Sequence, residues 1–189
     1  MPSDLHLRAP ALVVAVGPAA AGKSTLLRRL AGLGVVDLVV STDELRAELG
    51  LAPDEHEVTY AHAHRRVRDG LRAGLLVAAD ATNVRPSDRA AWIRTAHEAG
   101  VETVAALRVG VDATVGQLVA ADRGRSRHVP PGVIAAQLER AAASGPEALR
   151  AEGLLPVDTR EVRFVRCGSA CGLHDGAVAV VPAAAVLTA

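Results

Sequence analysis

Residues Ala11–Val16 (ALVVAV) form an unbroken apolar run of strand length, and a glycine follows at once. After that glycine the apolar positions change spacing, and Leu26, Leu27 and Leu30 recur with the period of a helix. The same alternation continues down the chain. It predicts strands over about 11–16, 35–40, 75–79, 101–109 and 161–166, the last being Glu161–Arg166. It predicts helices over about 23–31, 42–49, 56–73, 86–99, 111–121, 131–143 and 146–152. Strands alternating with helices imply an α/β fold with a parallel sheet of about five strands, covered by helices on both faces. Ligands in such sheets bind beyond the carboxyl ends of the strands. The informative residues are therefore 17–25, 41–46, 80–85 and 110–112. One domain is expected over 1–166, with 167–189 as a C-terminal hairpin or tail.

The turn after the first apolar run reads Gly17-Pro18-Ala19-Ala20-Ala21-Gly22-Lys23-Ser24-Thr25. It matches the phosphate-binding loop pattern G-x-x-x-x-G-K-[ST] in full, between a strand and a helix as that loop requires. Backbone N–H groups at the helix start would cradle the β-phosphate of a nucleoside triphosphate. Lys23 would reach the β- and γ-phosphates and Ser24 would hold Mg²⁺. With no guanine-type signature, ATP is the expected nucleotide.

Composition sharpens this reading. Lys23 is the single lysine among 189 residues, and the other twenty of the 21 basic residues are arginines. A slim ammonium suits a site wrapped in backbone, where a guanidinium fork is too bulky. Formal net charge is zero, which argues against a protein coated with nucleic acid. Tyr60, Trp92 and Phe164 are the only aromatic residues, too few for base-stacking platforms. Neither fact excludes gripping the end of a strand. The N-terminal residues do not read as a signal peptide, and the apolar stretch Ala177–Ala189 is interrupted by Pro182 and too short to span a bilayer. A cytoplasmic protein without membrane contact is expected.

Three further segments carry candidate chemistry. Ser41-Thr42-Asp43-Glu44-Leu45-Arg46 follows the second strand. Asp43 there could accept a proton from an attacking hydroxyl, and Arg46, one turn on, could hold an anionic group of the acceptor. The same residues also suit helix capping through Ser41-x-x-Glu44. Asp80-Ala81-Thr82-Asn83 closes the third strand; Asp80 could orient Mg²⁺ or bond Ser24, or form a turn with Asn83. Asp122–Pro130 carries arginines in a Gly- and Ser-containing loop, either a solvated basic loop or a lid that brings Arg123 and Arg127 to a moving phosphoryl group. Arg65, Arg68 and Arg72 share a helix face and read as solvated, while His62 and His64 lack metal-ligand partners. Cys167, Cys171 and His174 are three soft ligands where a structural zinc site wants four, so no structural metal is expected.

Taken in order, the phosphate loop, the 41–46 segment, Asp80-Ala81-Thr82-Asn83 and the arginine stretch ending in Val129-Pro130 resemble the polynucleotide 5′-hydroxyl kinase-like group of P-loop proteins. The resemblance spans about residues 11–166 and is similar to a stand-alone AAA-type ATP-binding domain related to polynucleotide kinase. It implies Asp43 as general base for a 5′-hydroxyl and Arg46 as a contact to the acceptor's neighbouring phosphate. It also implies Arg123, with Arg127, as stabilisers of the transferring group; Asn83 is a further candidate to bind the acceptor. The expected activity is transfer of the γ-phosphate of MgATP to an acceptor hydroxyl, on a nucleic-acid 5′-end or a small metabolite or antibiotic. A nucleotide-dependent switch with slow ATPase activity is the alternative of a different class.

Overall fold

A computed structural model describes residues 3–125, 127–158, 162–167 and 178–180. The predicted Cys171 and His174 lie outside the described residues. The elements in chain order are β1 (Ser3–Arg8), β2 (Ala11–Val16), α1 (Lys23–Gly32), β3 (Leu38–Ser41), α2 (Thr42–Glu48), α3 (His56–Arg72), β4 (Leu76–Asp80) and α4 (Pro86–Glu98). They continue with β5 (Val104–Arg108), α5 (Val115–Asp122), α6 (Pro131–Ala143), α7 (Pro146–Ala151), β6 (Leu155–Asp158), β7 (Val162–Cys167) and β8 (Val178–Val180).

Five strands in the order β3-β4-β2-β5-β6 form one parallel sheet. Alternation along β2 divides the core in two. Ala11, Val13 and Ala15 pack with Leu26, Leu27 and Leu30 of α1, Leu118 of α5 and Ile134 of α6. Leu12, Val14 and Val16 pack on the other face with Ala63, Val67 and Leu71 of α3, Trp92 of α4 and Leu149 of α7. A central strand buried on both faces can be apolar at every position, which is why β2 reads as a continuous run.

The strand predicted at Glu161–Arg166 is present at Val162–Cys167, but it is not the fifth strand of the parallel sheet. The fifth strand of the parallel sheet is β6, whose Leu155–Asp158 pair in register with Ala105–Arg108 of β5. The predicted segment forms β7 in a second, three-stranded sheet, parallel to β1 and antiparallel to β8. Proline at 156 weakens the strand signal of β6, but a strand at the sheet's edge tolerates it. Two other predicted strands start late for a shared reason. The Val35 and Val36 N–H groups bond the Leu30 carbonyl, and the Val101 N–H bonds that of Ala96. These residues close the ends of α1 and α4 and pack into the core without joining the sheet. Helix α5 begins later than predicted, at a capping box in which Thr114 and Gln117 satisfy each other's backbone N–H groups.

Two glycines fix how β5 meets the turn after β2. A Cβ at Gly17 would stand 2.1 Å from the Val109 carbonyl oxygen, and one at Gly110 would stand 2.5 Å from the Ala21 Cβ. Gly110 also has φ +68, a conformation costly for other residues. Gly110→Ala is therefore expected to destabilise the protein by about 3 kcal/mol. Gly132→Ala in α6, where nothing lies within 4 Å, should be neutral or slightly stabilising. Urea unfolding of the two variants checks the contrast.

Candidate functional site

Residues 17–25 wrap the start of α1. The Gly17 N–H is held by the Thr82 carbonyl at 3.0 Å, Gly22 turns the chain with φ 84, and no side chain caps the helix. The first amide bonded within the helix is Leu26 to Gly22, so the N–H groups just before it are available to an anion. Ala19 donates its N–H to Gln137 Oε1 at 2.8 Å, which ties the loop to α6. Pro18, Ala19 and Ala21 are buried, Ala20 and Ser24 are half-buried, and Thr25 is exposed.

Lys23 lies inside this wrap at 7 % exposure and donates from Nζ to the Pro18 carbonyl at 2.6 Å. Burial pushes its ammonium down to about 8. Asp80 and Asp43 pull it back up, and Arg125 pushes it further down. Asp80 ends β4, is itself buried, and lies close enough to the Ser24 hydroxyl and the Lys23 ammonium to feel both. Burial raises its pKa, against the downward pull of Ser24 and Lys23. Ser24 and Asp80 thus stand together as hard oxygen donors, a set suited to Mg²⁺ with phosphate and water completing its shell. Among the described residues no group of three His, Cys, Asp or Glu side chains forms a metal site.

Strand pairing brings the next segment alongside. Ser41 of β3 is in register with Asp80, so Asp43 and Arg46 in the first turns of α2 start beside Asp80. Ser41 caps α2 by accepting the Glu44 N–H, and the Glu44 carboxylate pairs with Arg28 at 2.8 Å without returning to Ser41. Asp43 is about half exposed and takes three guanidinium groups: Arg46 at 3.1 Å, Arg125 at 3.3 Å and Arg127 at 3.3 Å. Arg46 is buried, and its Nη2 donates to His56 Nδ1 at 3.3 Å. Its Nε is also buried and has no hydrogen-bond partner among the described residues.

The structure therefore brings together Lys23, Ser24, Asp80, Asp43, Arg46 and Arg127. Arg123, at the end of α5, is exposed and makes no side-chain bond among the described residues. The arginine beside Arg127 at Asp43 is Arg125, and only three-dimensional proximity distinguishes it from its neighbours in the loop. Asn83 lies in the core. It is fully buried, donates to the Ala15 carbonyl at 2.8 Å, and accepts from Trp92 Nε1 at 2.8 Å. Its φ of 49 suits asparagine in a turn.

Sequence reasoning also missed Arg89, which is 1 % exposed. It forms a fork on Glu152 at 2.7 and 2.6 Å and bonds the Asn83 carbonyl at 2.9 Å, fastening the turn after β4 to α7. Glu152 is 63 residues away, so no local pattern could have announced the pair. The aromatic residues make a wall: His64 stacks on Trp92 at 3.9 Å between ring centres, and Tyr60 lies 6.3 Å from Trp92. Burial pushes the Tyr60 hydroxyl up to about 12, and that hydroxyl feels Asp88, Arg46, Asp43 and Arg85. His64 bonds Thr95 at 2.8 Å and burial pushes it down to about 4, so it is neutral at pH 7. On α3 Arg68 pairs with Glu98 and Arg66 with Glu48, while Arg65 bonds His62 Nδ1 and Arg72 donates to the Glu98 carbonyl.

A family model described as an AAA domain matches residues 12–145, and the chain belongs to this family. No curated protein matches. A gluconokinase structure from Sinorhizobium meliloti 1021 is 17% identical, with TM-score 0.51, over 80% of this chain and 84% of that one. A putative kinase from Chloroflexus aurantiacus is 20% identical, with TM-score 0.52, over 79% of this chain and 88% of that one. A chain of the Pnkp1/Rnl/Hen1 RNA repair complex is 20% identical, with TM-score 0.60, over 73% of this chain. The match spans only 46% of that chain's length. At these identities the shared property is the fold, that of a P-loop NTPase. No helix among the described residues is long and apolar enough to cross a membrane.

The buried ammonium has a stability cost with a definite sign. Below about pH 8 Lys23 is charged in both folded and unfolded chains, and the folded state carries the desolvation cost. Between about 8 and the ordinary lysine value of 10.5 the unfolded chain binds more protons, so stability rises with pH. Lys23→Met should therefore stabilise the ligand-free protein at pH 7 by up to about 3 kcal/mol and remove that rise. Thermal melts from pH 7 to 10.5 measure both effects.

Proposed function

We propose that this chain is an ATP-dependent phosphotransferase that moves the γ-phosphate of MgATP to an acceptor hydroxyl. The observation that carries the reading is Asp43. It is a half-exposed carboxylate at the carboxyl end of the sheet, within the electrostatic reach of Lys23 and surrounded by Arg46, Arg125 and Arg127. A plain nucleotide-binding switch has no need of such a carboxylate.

In this reading the phosphates of ATP lie on the amides of residues 17–25, with Lys23 beside the β- and γ-phosphates. Ser24 and Asp80 would hold Mg²⁺, which would offset phosphate charge when bound. The acceptor oxygen attacks the γ-phosphorus, and the bond from that phosphorus to the β–γ bridging oxygen breaks. ADP leaves, and the acceptor's proton passes to the Asp43 carboxylate. Lys23 and the loop arginines offset the charge spread over the transferring group. Arg46, held by Asp43 and His56, orients an anionic group on the acceptor.

A nucleic-acid 5′-hydroxyl is the leading acceptor. It is supported by the order of the four sequence segments and by the likeness to a chain of an RNA repair complex. A small hydroxyl compound is the second reading, supported by zero net charge and by the scarcity of aromatic side chains.

Transfer of labelled γ-phosphate to a short 5′-hydroxyl oligonucleotide, run beside Asp43→Asn, tests the reading. Turnover is expected in the wild type, with a loss of about 10²–10⁴-fold in the variant. Full turnover in Asp43→Asn would remove Asp43 as the base. Salt dependence of the acceptor KM separates the two acceptors: steep weakening marks several phosphate contacts, a flat response a small neutral compound.

A further inference from the structure

The arginine loop has a buried carboxylate at its root that none of the proposed chemistry uses. Asp122, the last residue of α5, is 4 % exposed although the residues after it are largely exposed. One of its carboxylate oxygens accepts the Val129 N–H at 2.8 Å and so closes the loop on itself. The other accepts from Arg125 Nη1 at 3.2 Å. Its backbone carbonyl bonds His128 Nδ1 at 3.0 Å. The second terminal nitrogen of the same guanidinium, Arg125 Nη2, then reaches Asp43 at 3.3 Å.

We propose that Asp122 is a positioning residue: from the root of the loop it holds Arg125 across from Asp43, and so presents that guanidinium at the phosphoryl-acceptor end of the phosphate loop.

A guanidinium bridging two carboxylates is fixed in direction as well as in place, because its two terminal nitrogens have separate partners. Arg127 also reaches Asp43, but it is about half exposed, and among the described residues no group on its own side of the loop bonds it. Arg125 is the loop arginine with a fixed base. Its charge is felt at Lys23, which places it near the end of the site where the γ-phosphate would lie. The Val129 N–H keeps the Asp122 carboxylate from following Arg125 outward. Burial raises the Asp122 pKa, but the Val129 amide and the Arg125 guanidinium lower it by more, so the carboxylate is charged at neutral pH.

A purely structural Asp122 would only close the loop, and Asp122→Asn separates the two roles. Asparagine keeps an oxygen for the Val129 N–H and loses the charge that holds Arg125. The first arm uses NMR of the arginine Nε–Hε groups in the full chain without nucleotide, with Arg125 assigned by its loss in Arg125→Gln. The expected result is an ordered Arg125 signal in the wild type that collapses to the averaged signal in Asp122→Asn, while the Val129 amide stays protected. An Arg125 signal still ordered in Asp122→Asn overturns the inference. So does an Arg125 signal that is already averaged in the wild type.

The second arm rests on the phosphotransfer reading and measures MgATP hydrolysis with water as acceptor. Asp122→Asn should lower kcat about tenfold with KM for ATP little changed, and should add nothing further in an Arg125→Gln background. Losses that multiply in the double variant, or a wild-type kcat in Asp122→Asn, overturn the inference. If the wild type binds no ATP, the phosphotransfer reading fails, and the NMR arm alone decides the role of Asp122.

Discussion

One charge in this structure is kept out of water, at a cost to the fold. The Lys23 ammonium is enclosed by the backbone of its own loop, bonded to the Pro18 carbonyl, and close enough to Asp80 and Asp43 to feel both carboxylates. Burying an amine without a full counter-charge is costly, and in this chain the cost lowers its proton affinity. A protein selected only for stability would place methionine there. The enclosed charge has a physical rationale if a polyanion completes the site, since the attraction is strongest where water is excluded.

The rest of the architecture delivers groups to that point. A parallel sheet ends all its strands on one side, so the turns after β2, β3 and β4 converge. Register supplies the finer placement: Ser41 beside Asp80 starts α2 where Asp43 can approach Lys23. The turn after β5 packs under the phosphate loop through Gly110 and Ala21 at a distance that excludes a larger side chain. The turn after β4 is held by Asn83 and Arg89, which join β2, α4 and α7 in one buried polar network. Such a network is rigid when every member is satisfied, and this one supports the strand ends from below.

Much of this was legible in the chain because it is local. The phosphate loop needs a strand, a glycine turn and a helix in succession, and those signals lie within twenty residues. The alternation along β2 and the helical spacing in α1 likewise depend on near neighbours. What escaped was set by contacts distant in sequence. Asn83 has the composition of a binding residue, and its burial follows from meeting Ala15 and Trp92. Arg89 looks like any helix-surface arginine until Glu152 arrives 63 residues later. Arg123, Arg125 and Arg127 are equivalent in the sequence, and only the fold of the loop onto Asp122 distinguishes Arg125. The edge strand β6 was missed for the opposite reason: its proline is a local signal that the tertiary position overrides.

A buried ammonium short of counter-charge calls for a phosphate polyanion. Calorimetric titration with a non-hydrolysable MgATP analogue, in buffers of different ionisation enthalpy at pH 7 and pH 9, tests it most directly. At pH 9 the free site has mostly lost the Lys23 proton, and a bound triphosphate would restore it. Saturable binding is expected at both values, with uptake of about one proton at pH 9, little at pH 7, and none in Lys23→Met. Absence of binding, or binding with the same proton exchange at both pH values, would contradict it.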